Sequence, residues 1–127
     1  RLYVLLRLDS ALAQGEATYD YPIITVEHVL PQSPSEGSVW LKWFPTEEDR
    51  AKYTHRIGNL ALLSGKKNAQ AQNFDFNIKK EKYFATRKGI SPFAITTQVL
   101  QKSEWTPDVI EQRQIELLTK LKELWNL

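Results

Sequence analysis

The spacing of hydrophobic residues predicts helices over most of the chain. Leu5, Leu8 and Leu12 recur at helical intervals, which indicates an amphipathic helix over residues 1–14. The later helices are expected at about residues 39–44, 46–55, 65–72, 74–87, 91–102 and 107–125. Three of them begin at a capping residue, alone or followed by proline: Thr46, Ser91-Pro92 and Thr106-Pro107.

Two short segments follow an extended pattern instead. Residues 23–26 are four β-branched residues in a row and predict a strand that carries Glu27 and His28 at its end. Residues 60–63 are an apolar run between turn residues and predict a second strand. The fold class expected from these patterns is α+β and mostly helical, with a two-stranded insert in a helical scaffold.

The amino-acid composition indicates a single domain and excludes sites that depend on cysteine. A chain of 127 residues with 42% hydrophobic residues is the size of a single domain, residues 1–127. It contains no cysteine and two histidines, which excludes disulfides and thiolate zinc sites. No apolar run approaches about 20 residues, so we expect no membrane partner and a cytoplasmic protein. The four tryptophans are expected in the core rather than stacked on nucleic-acid bases: Trp40, Trp43, Trp105 and Trp125.

Positive charge is concentrated in one part of the chain. Residues 66–88 carry seven lysines and arginines against two acidic residues, although the net charge of the whole chain is only +2. Such a segment is either a solvated helix face or a surface that attracts a polyanion.

The two predicted strands carry motifs that resemble a nuclease family. Glu-His-x-Leu-Pro-Gln at residues 27–32 and His-Arg-x-Gly-Asn-Leu-x-Leu-Leu at residues 55–63 are similar to the C-terminal nuclease domain of GmrSD-type, modification-dependent restriction proteins. The order of strand, loop, strand and helix resembles the ββα-metal finger of HNH (His-Me finger) endonucleases, here at about residues 23–72. The resemblance covers residues 24–84.

The resemblance implies a role for each motif residue. His28 corresponds to the general base, and an imidazole with its ordinary pKa of about 6.5 is able to take a proton from water at cellular pH. Asn59 corresponds to the turn asparagine that orients the histidine's strand. Asn68, nine residues later, corresponds to the helix-borne ligand of one Mg²⁺ or Mn²⁺ ion. Glu27 is a further candidate ligand, direct or through water, although neighbouring residues of a regular strand point to opposite faces.

The motifs give less specific roles to several lysines and to three residues near the predicted site. The lysines near the metal helix are expected to contact DNA phosphates, which fixes position without reading sequence: Lys66, Lys67, Lys79, Lys80 and Lys82. Asn73 falls where related domains carry a recurring asparagine. His55 is either a partly buried histidine at a helix end or a second contact to phosphate or metal. Gly58 is expected to allow a turn with positive φ.

The expected function is metal-dependent hydrolysis of DNA phosphodiester bonds. The resemblance implies restriction of modified or phage DNA, by nicking or cleaving, and an N-terminal nucleotide-hydrolysing domain ahead of this segment in a longer protein. The alternative is a catalytically inactive module that keeps the nuclease frame and binds DNA or docks onto that N-terminal domain.

Overall fold

The computed structural model describes residues 2–14, 24–64, 74–84 and 91–126. The elements in chain order are α1 (Leu2–Leu12), β1 (Ile24–His28), α2 (Val39–Trp43), α3 (Glu47–Thr54), β2 (Leu60–Ser64), α4 (Phe76–Lys79), α5 (Ala94–Leu100) and α6 (Pro107–Trp125). A 3₁₀ turn, Ile57–Asn59, leads into β2, and a π-helical turn, Lys80–Phe84, follows α4. The predicted α+β, mostly helical class is confirmed. The helix predicted at residues 65–72 lies outside the described residues.

The two strands form an antiparallel pair with the register His28 opposite Leu60 and Ile24 opposite Ser64. Both predicted strands are therefore confirmed. Because side chains alternate along a strand, β2 contributes to two separate hydrophobic clusters. Ala61 and Leu63 belong to the cluster around Trp40, Phe44, Phe76 and Trp105. Leu60 and Leu62 belong to the cluster around Leu5, Leu8, Phe93 and Leu117.

Side chains from the helices form hydrogen bonds with backbone groups in and near the sheet. The Thr96 hydroxyl accepts from Leu62 N at 2.9 Å and donates to Leu62 O at 2.7 Å, so α5 continues the hydrogen bonding of β2. The buried carboxylate of Asp9 on α1 accepts from Ile95 N at 2.8 Å. The Thr96 bonds attach the sheet to α5 and cover part of an edge that would otherwise be open, and the Asp9 bond attaches α5 to α1.

The helix starts agree with the sequence in two of three places. Thr46 caps α3, since its hydroxyl accepts from Asp49 N at 3.1 Å. α6 begins at Pro107 as expected. The predicted start at Ser91 is wrong, because α5 begins at Ala94 and the Ser91 hydroxyl instead accepts from Phe93 N in a local turn.

The expected core is largely in place, with one clear exception among the tryptophans. Trp40 and Trp105 are fully buried, and Trp43 packs against their cluster. Trp125 is 39% exposed, so its assignment to the core is wrong. In the described segments no helix is both long and apolar enough to cross a membrane.

Candidate active site

Two histidines meet where β1 ends. His28 is the last residue of β1, and its Nε2 lies 3.2 Å from Nδ1 of His55, which directly follows α3. The rings are nearly perpendicular at 87°, with centroids 5.0 Å apart. One of the facing nitrogens carries the proton of this hydrogen bond and the other accepts it. When His28 Nε2 is the donor, the basic lone pair of His28 is on Nδ1.

Asn59 fixes the backbone next to both histidines. Its side chain is fully buried, and Oδ1 accepts from Leu30 N at 2.8 Å and from Trp105 Nε1 at 2.9 Å. Its Nδ2 donates to Leu30 O at 3.1 Å and to Thr54 O at 2.8 Å. Leu30 is two residues after His28, and Thr54 is one residue before His55. A single amide therefore joins the two segments that present the imidazoles.

The turn that carries Asn59 is packed directly onto α6. Arg113, buried on α6, donates to Gly58 O at 2.9 Å, to Leu60 O at 2.8 Å and to Ile95 O at 2.8 Å. Burial lowers the pKa of Arg113 to about 10, with a smaller opposing effect from Glu116. The guanidinium still carries its charge at neutral pH, which strengthens hydrogen bonds to carbonyl oxygens.

Gly58 permits a close approach between this turn and α6. A Cβ atom at this position would lie 2.5 Å from Ile110 O and 2.8 Å from Gln114 N, both of them backbone atoms. The positive φ expected for Gly58 is wrong, since among the described glycines only Gly37 has one. The residue is required for its small size.

A buried ion pair lies on the other face of the sheet. Glu27 is opposite Ala61 in the register, and its Oε1 lies 3.8 Å from Nζ of Lys79 on α4. Burial raises the pKa of Glu27 to about 7, partly offset by the attraction of Lys79. Burial lowers the pKa of Lys79 to about 8, partly offset by Glu27. The Glu27 Oε2 atom makes no hydrogen bond within the described part of the chain.

A cavity of about 480 Å³ opens beside His55. It lies between the loop after β1 and the side of α3, and its lining includes Gln32, Ser33, Arg50, Ala51, Thr54 and His55. His55 thus borders a space that can admit part of a substrate next to the imidazole pair.

The comparisons with known proteins give one match. The model of the family described as GmrSD restriction endonucleases, C-terminal domain, matches residues 1–120. The chain belongs to this family. Searches of curated proteins and of solved structures gave no match.

This GmrSD C-terminal domain brings together three of the residues singled out from the sequence. His28, His55 and Asn59 form one connected group, whereas Asn68, Asn73, Lys66 and Lys67 lie outside the described residues. His55 is exposed and bonded to another side chain, so the first of its two alternatives, a partly buried histidine, is wrong, and the contact to phosphate or metal stays a prediction.

The predicted phosphate contact of Lys79 is wrong. The side chain of Lys79 is completely buried, and a cation without solvent access cannot reach a DNA phosphate. Lys80 is half-buried and donates to Lys102 O at 2.7 Å. Of the predicted DNA-binding lysines that the structure describes, only Lys82 is exposed.

Candidate ligands for a divalent ion are few in the described segments. No group of three or more histidine, cysteine, aspartate or glutamate side chains comes together in the described segments. Glu27, the predicted carboxylate ligand, faces Lys79 on the face opposite His28, so this geometry does not support it as a direct ligand. Mg²⁺ and Mn²⁺ tolerate such a site, because water and substrate phosphate complete their coordination.

Sequence reasoning missed the buried cations that support the site. Arg113 and Lys79 are charged residues on helices, and charged residues on helices are mostly exposed. One signal was available for Arg113, which lies three residues after Ile110 on the apolar stripe of α6. We find no comparable signal for Lys79, because its partner Glu27 lies 52 residues earlier in the chain.

Proposed function

We propose that this domain is a divalent-metal-dependent DNA endonuclease of the HNH type, acting in restriction of modified or phage DNA. Membership of a family of restriction endonucleases supports DNA as the substrate. The observation that carries the chemistry is the solvent-accessible His28–His55 pair, held at the end of β1 by the buried Asn59.

In the proposed reaction His28 acts as the general base. Its imidazole takes a proton from a water molecule, whose oxygen forms a bond to phosphorus while the bond from phosphorus to the leaving deoxyribose oxygen breaks. The leaving oxygen takes a proton from solvent. Taking up this proton on Nδ1 strengthens the hydrogen bond from His28 Nε2 to His55 Nδ1, since an imidazolium donates a stronger hydrogen bond than a neutral ring does. A positioned base of this kind contributes about 10²- to 10⁴-fold to the rate.

We propose that Asn68 provides the amide oxygen that holds the divalent ion. The ion, when bound, supplies positive charge that stabilises the leaving oxygen. Glu27 is omitted from the proposed direct ligands because Lys79 already faces its carboxylate. The chain provides one base, so it would cut one strand at a time. A double-strand break would then need two copies or two successive nicks.

DNA is proposed to approach along the basic segment that follows β2. Lys82 is an exposed residue of that segment, and Lys66 and Lys67 precede it in the sequence. Phosphate contacts of this kind position the duplex without reading its sequence. They predict that binding weakens as salt increases.

Nicking of supercoiled plasmid tests the proposal. Wild-type protein is incubated with Mg²⁺, with Mn²⁺ or with EDTA, beside His28→Ala and Asn68→Ala. We expect conversion to open circles by the wild type with metal, and a loss of at least about 100-fold in His28→Ala. Equal nicking by all three proteins would show contamination and would remove the assignment.

The binding-module alternative gives a different result in the same experiment. The wild type would then retain plasmid in a salt-sensitive complex without cutting it under either metal, and His28→Ala would bind equally well. That outcome would leave the family membership intact and reject the catalytic role of His28.

A further inference from the structure

The hydrogen-bonded pairing of β1 with β2 ends at His28, the proposed base. Beyond that point the side chain of Lys79 hydrogen-bonds to the backbone. The last residue pair in the register is His28 opposite Leu60. Lys79 Nζ donates to His28 O at 2.9 Å and to Val29 O at 3.0 Å. The carbonyl groups of the last residue of β1 and of the next residue are therefore held by one ammonium group from α4.

The surroundings of Lys79 keep this ammonium in one place. Its side chain is completely buried, its Nζ lies 3.8 Å from Glu27 Oε1, and it is 5.8 Å from the centre of the Trp40 ring. The two carbonyl oxygens, the carboxylate and the aromatic face together compensate for the loss of hydration. A buried cation with several fixed partners has little freedom to move, so the peptide groups bonded to it are restrained as well.

We propose that Lys79 is a positioning residue of the nuclease site, which holds the His28 and Val29 carbonyls and so sets the imidazole of His28 against His55. The direction of a side chain follows from the backbone dihedral angles of its own residue. Restraining the two peptide groups on the C-terminal side of His28 therefore restrains its Cα–Cβ bond. The inference rests on the proposed function, because the imidazole it positions is the proposed base.

Asn59 and Lys79 hold the same segment from different sides. Asn59 bonds to Leu30 and, through its own carbonyl oxygen, to Val29 N at 2.9 Å. Lys79 bonds to His28 and Val29 from α4. The loop after β1 is thus fixed by an amide from the β2 turn and by an ammonium from a separate helix.

The test needs variants that distinguish two effects: the loss of the Lys79 hydrogen bonds to the His28 and Val29 carbonyls, and the presence of an unpaired buried charge. Lys79→Met alone leaves Glu27 buried without its partner, which is destabilising. The double variant Glu27→Gln/Lys79→Met removes both charges, an exchange that is often close to neutral for stability. It still removes the bonds to the two carbonyl groups. Glu27→Gln/Lys79→Gln is a second neutral pair in which the new amide can donate one of them. Lys120→Met, which removes the half-buried partner of Glu123 on α6, controls for loss of a surface cation.

Three measurements are made on each protein. The chain has only two histidines, so a ¹⁵N–¹H spectrum of the imidazoles reports on His28 and His55 alone. The coupling between the two rings is measured by introducing His55→Gln into each protein. The shift that this substitution causes in the titration midpoint of His28 is the measure. Nicking kinetics give kcat and KM separately, and thermal melting confirms folding.

We expect Glu27→Gln/Lys79→Met to lose the coupling between the rings and at least about tenfold in kcat, with KM within about twofold of the wild type. Partial recovery is expected in Glu27→Gln/Lys79→Gln, and no change in Lys120→Met. A folded double variant with unchanged ring coupling would overturn the inference, as would a loss confined to KM. Lost ring coupling in a protein whose wild type does not nick would uphold the positioning and reject the proposed function.

Discussion

Replacing Asn59 with alanine tests the group that supports both histidines. The substitution leaves four buried polar groups without their partner: Leu30 N, Leu30 O, Thr54 O and Trp105 Nε1. A net loss of about 1 kcal/mol for each bond gives a total of about 4 kcal/mol, and incomplete rehydration of these groups would increase it. Single domains are stable by about 5–15 kcal/mol, so Asn59→Ala should be close to the limit of folding.

Urea denaturation measures this loss. The midpoint should fall with little change in the m-value, and the melting temperature should fall by roughly 10–20 °C, at about 4 °C for each kcal/mol. Asn77→Ala is the matched control, because Asn77 is exposed on α4. If Asn59→Ala and Asn77→Ala differ by less than about 0.5 kcal/mol, the amide network does not hold the site together.

Three further perturbations should lower the free energy of unfolding. Gly58→Ala should destabilise the fold by about 2–3 kcal/mol in chemical denaturation, because its Cβ would lie 2.5 Å from the rigid backbone oxygen of Ile110. Arg113→Met should cost about 3 kcal/mol or more, since three carbonyl groups lose a charged donor. The free energy of unfolding should decrease as the pH rises from 4.5 to about 7. The raised pKa of Glu27 keeps its proton on the folded state while the unfolded chain releases it. This slope should disappear in Glu27→Gln.

Each of these has a result that would contradict it. Gly37→Ala, which removes a glycine at φ +78° with open space around it, should cost about 1–2 kcal/mol through backbone strain alone, and a smaller loss at Gly58 would reject the close-approach argument. Lys120→Met controls for Arg113→Met, and equal stability of the two would show that the guanidinium contributes nothing. An unchanged pH slope in Glu27→Gln would assign the titration to another group.

The parts of the fold that depend on local sequence were predicted well. The β-branched run ending at His28 forms β1, the apolar run at residues 60–63 forms β2, and Thr46 caps α3. These outcomes follow from preferences within a few residues of each other. The helix start predicted at Ser91 was wrong although it also rested on local sequence. The Ser91 hydroxyl accepts a hydrogen bond from Phe93 N in a turn before the helix begins.

The supporting contacts of the site could not be predicted because they join distant segments. Asn59 was identified as an orienting residue from its family position, but its bond to Trp105 spans 46 residues. The pairing of His28 with His55 depends on where α3 ends relative to β1, which no local pattern specifies. Lys79 was expected to contact DNA phosphate because it lies in the basic segment near the metal helix. Its partners become visible only when α4 lies against the end of β1.

The pH dependence of nicking tests the central claim, that His28 is the base of a DNA endonuclease. First-order rate constants for the loss of supercoiled plasmid are measured with Mn²⁺ between about pH 5 and 8 for the wild type and His28→Ala. We expect the wild-type rate to rise up to about tenfold per pH unit and then level off as the imidazole loses its proton. His28→Ala should be at least about 100-fold slower and should not show this rise. The same rate and the same pH profile in both proteins would contradict the account.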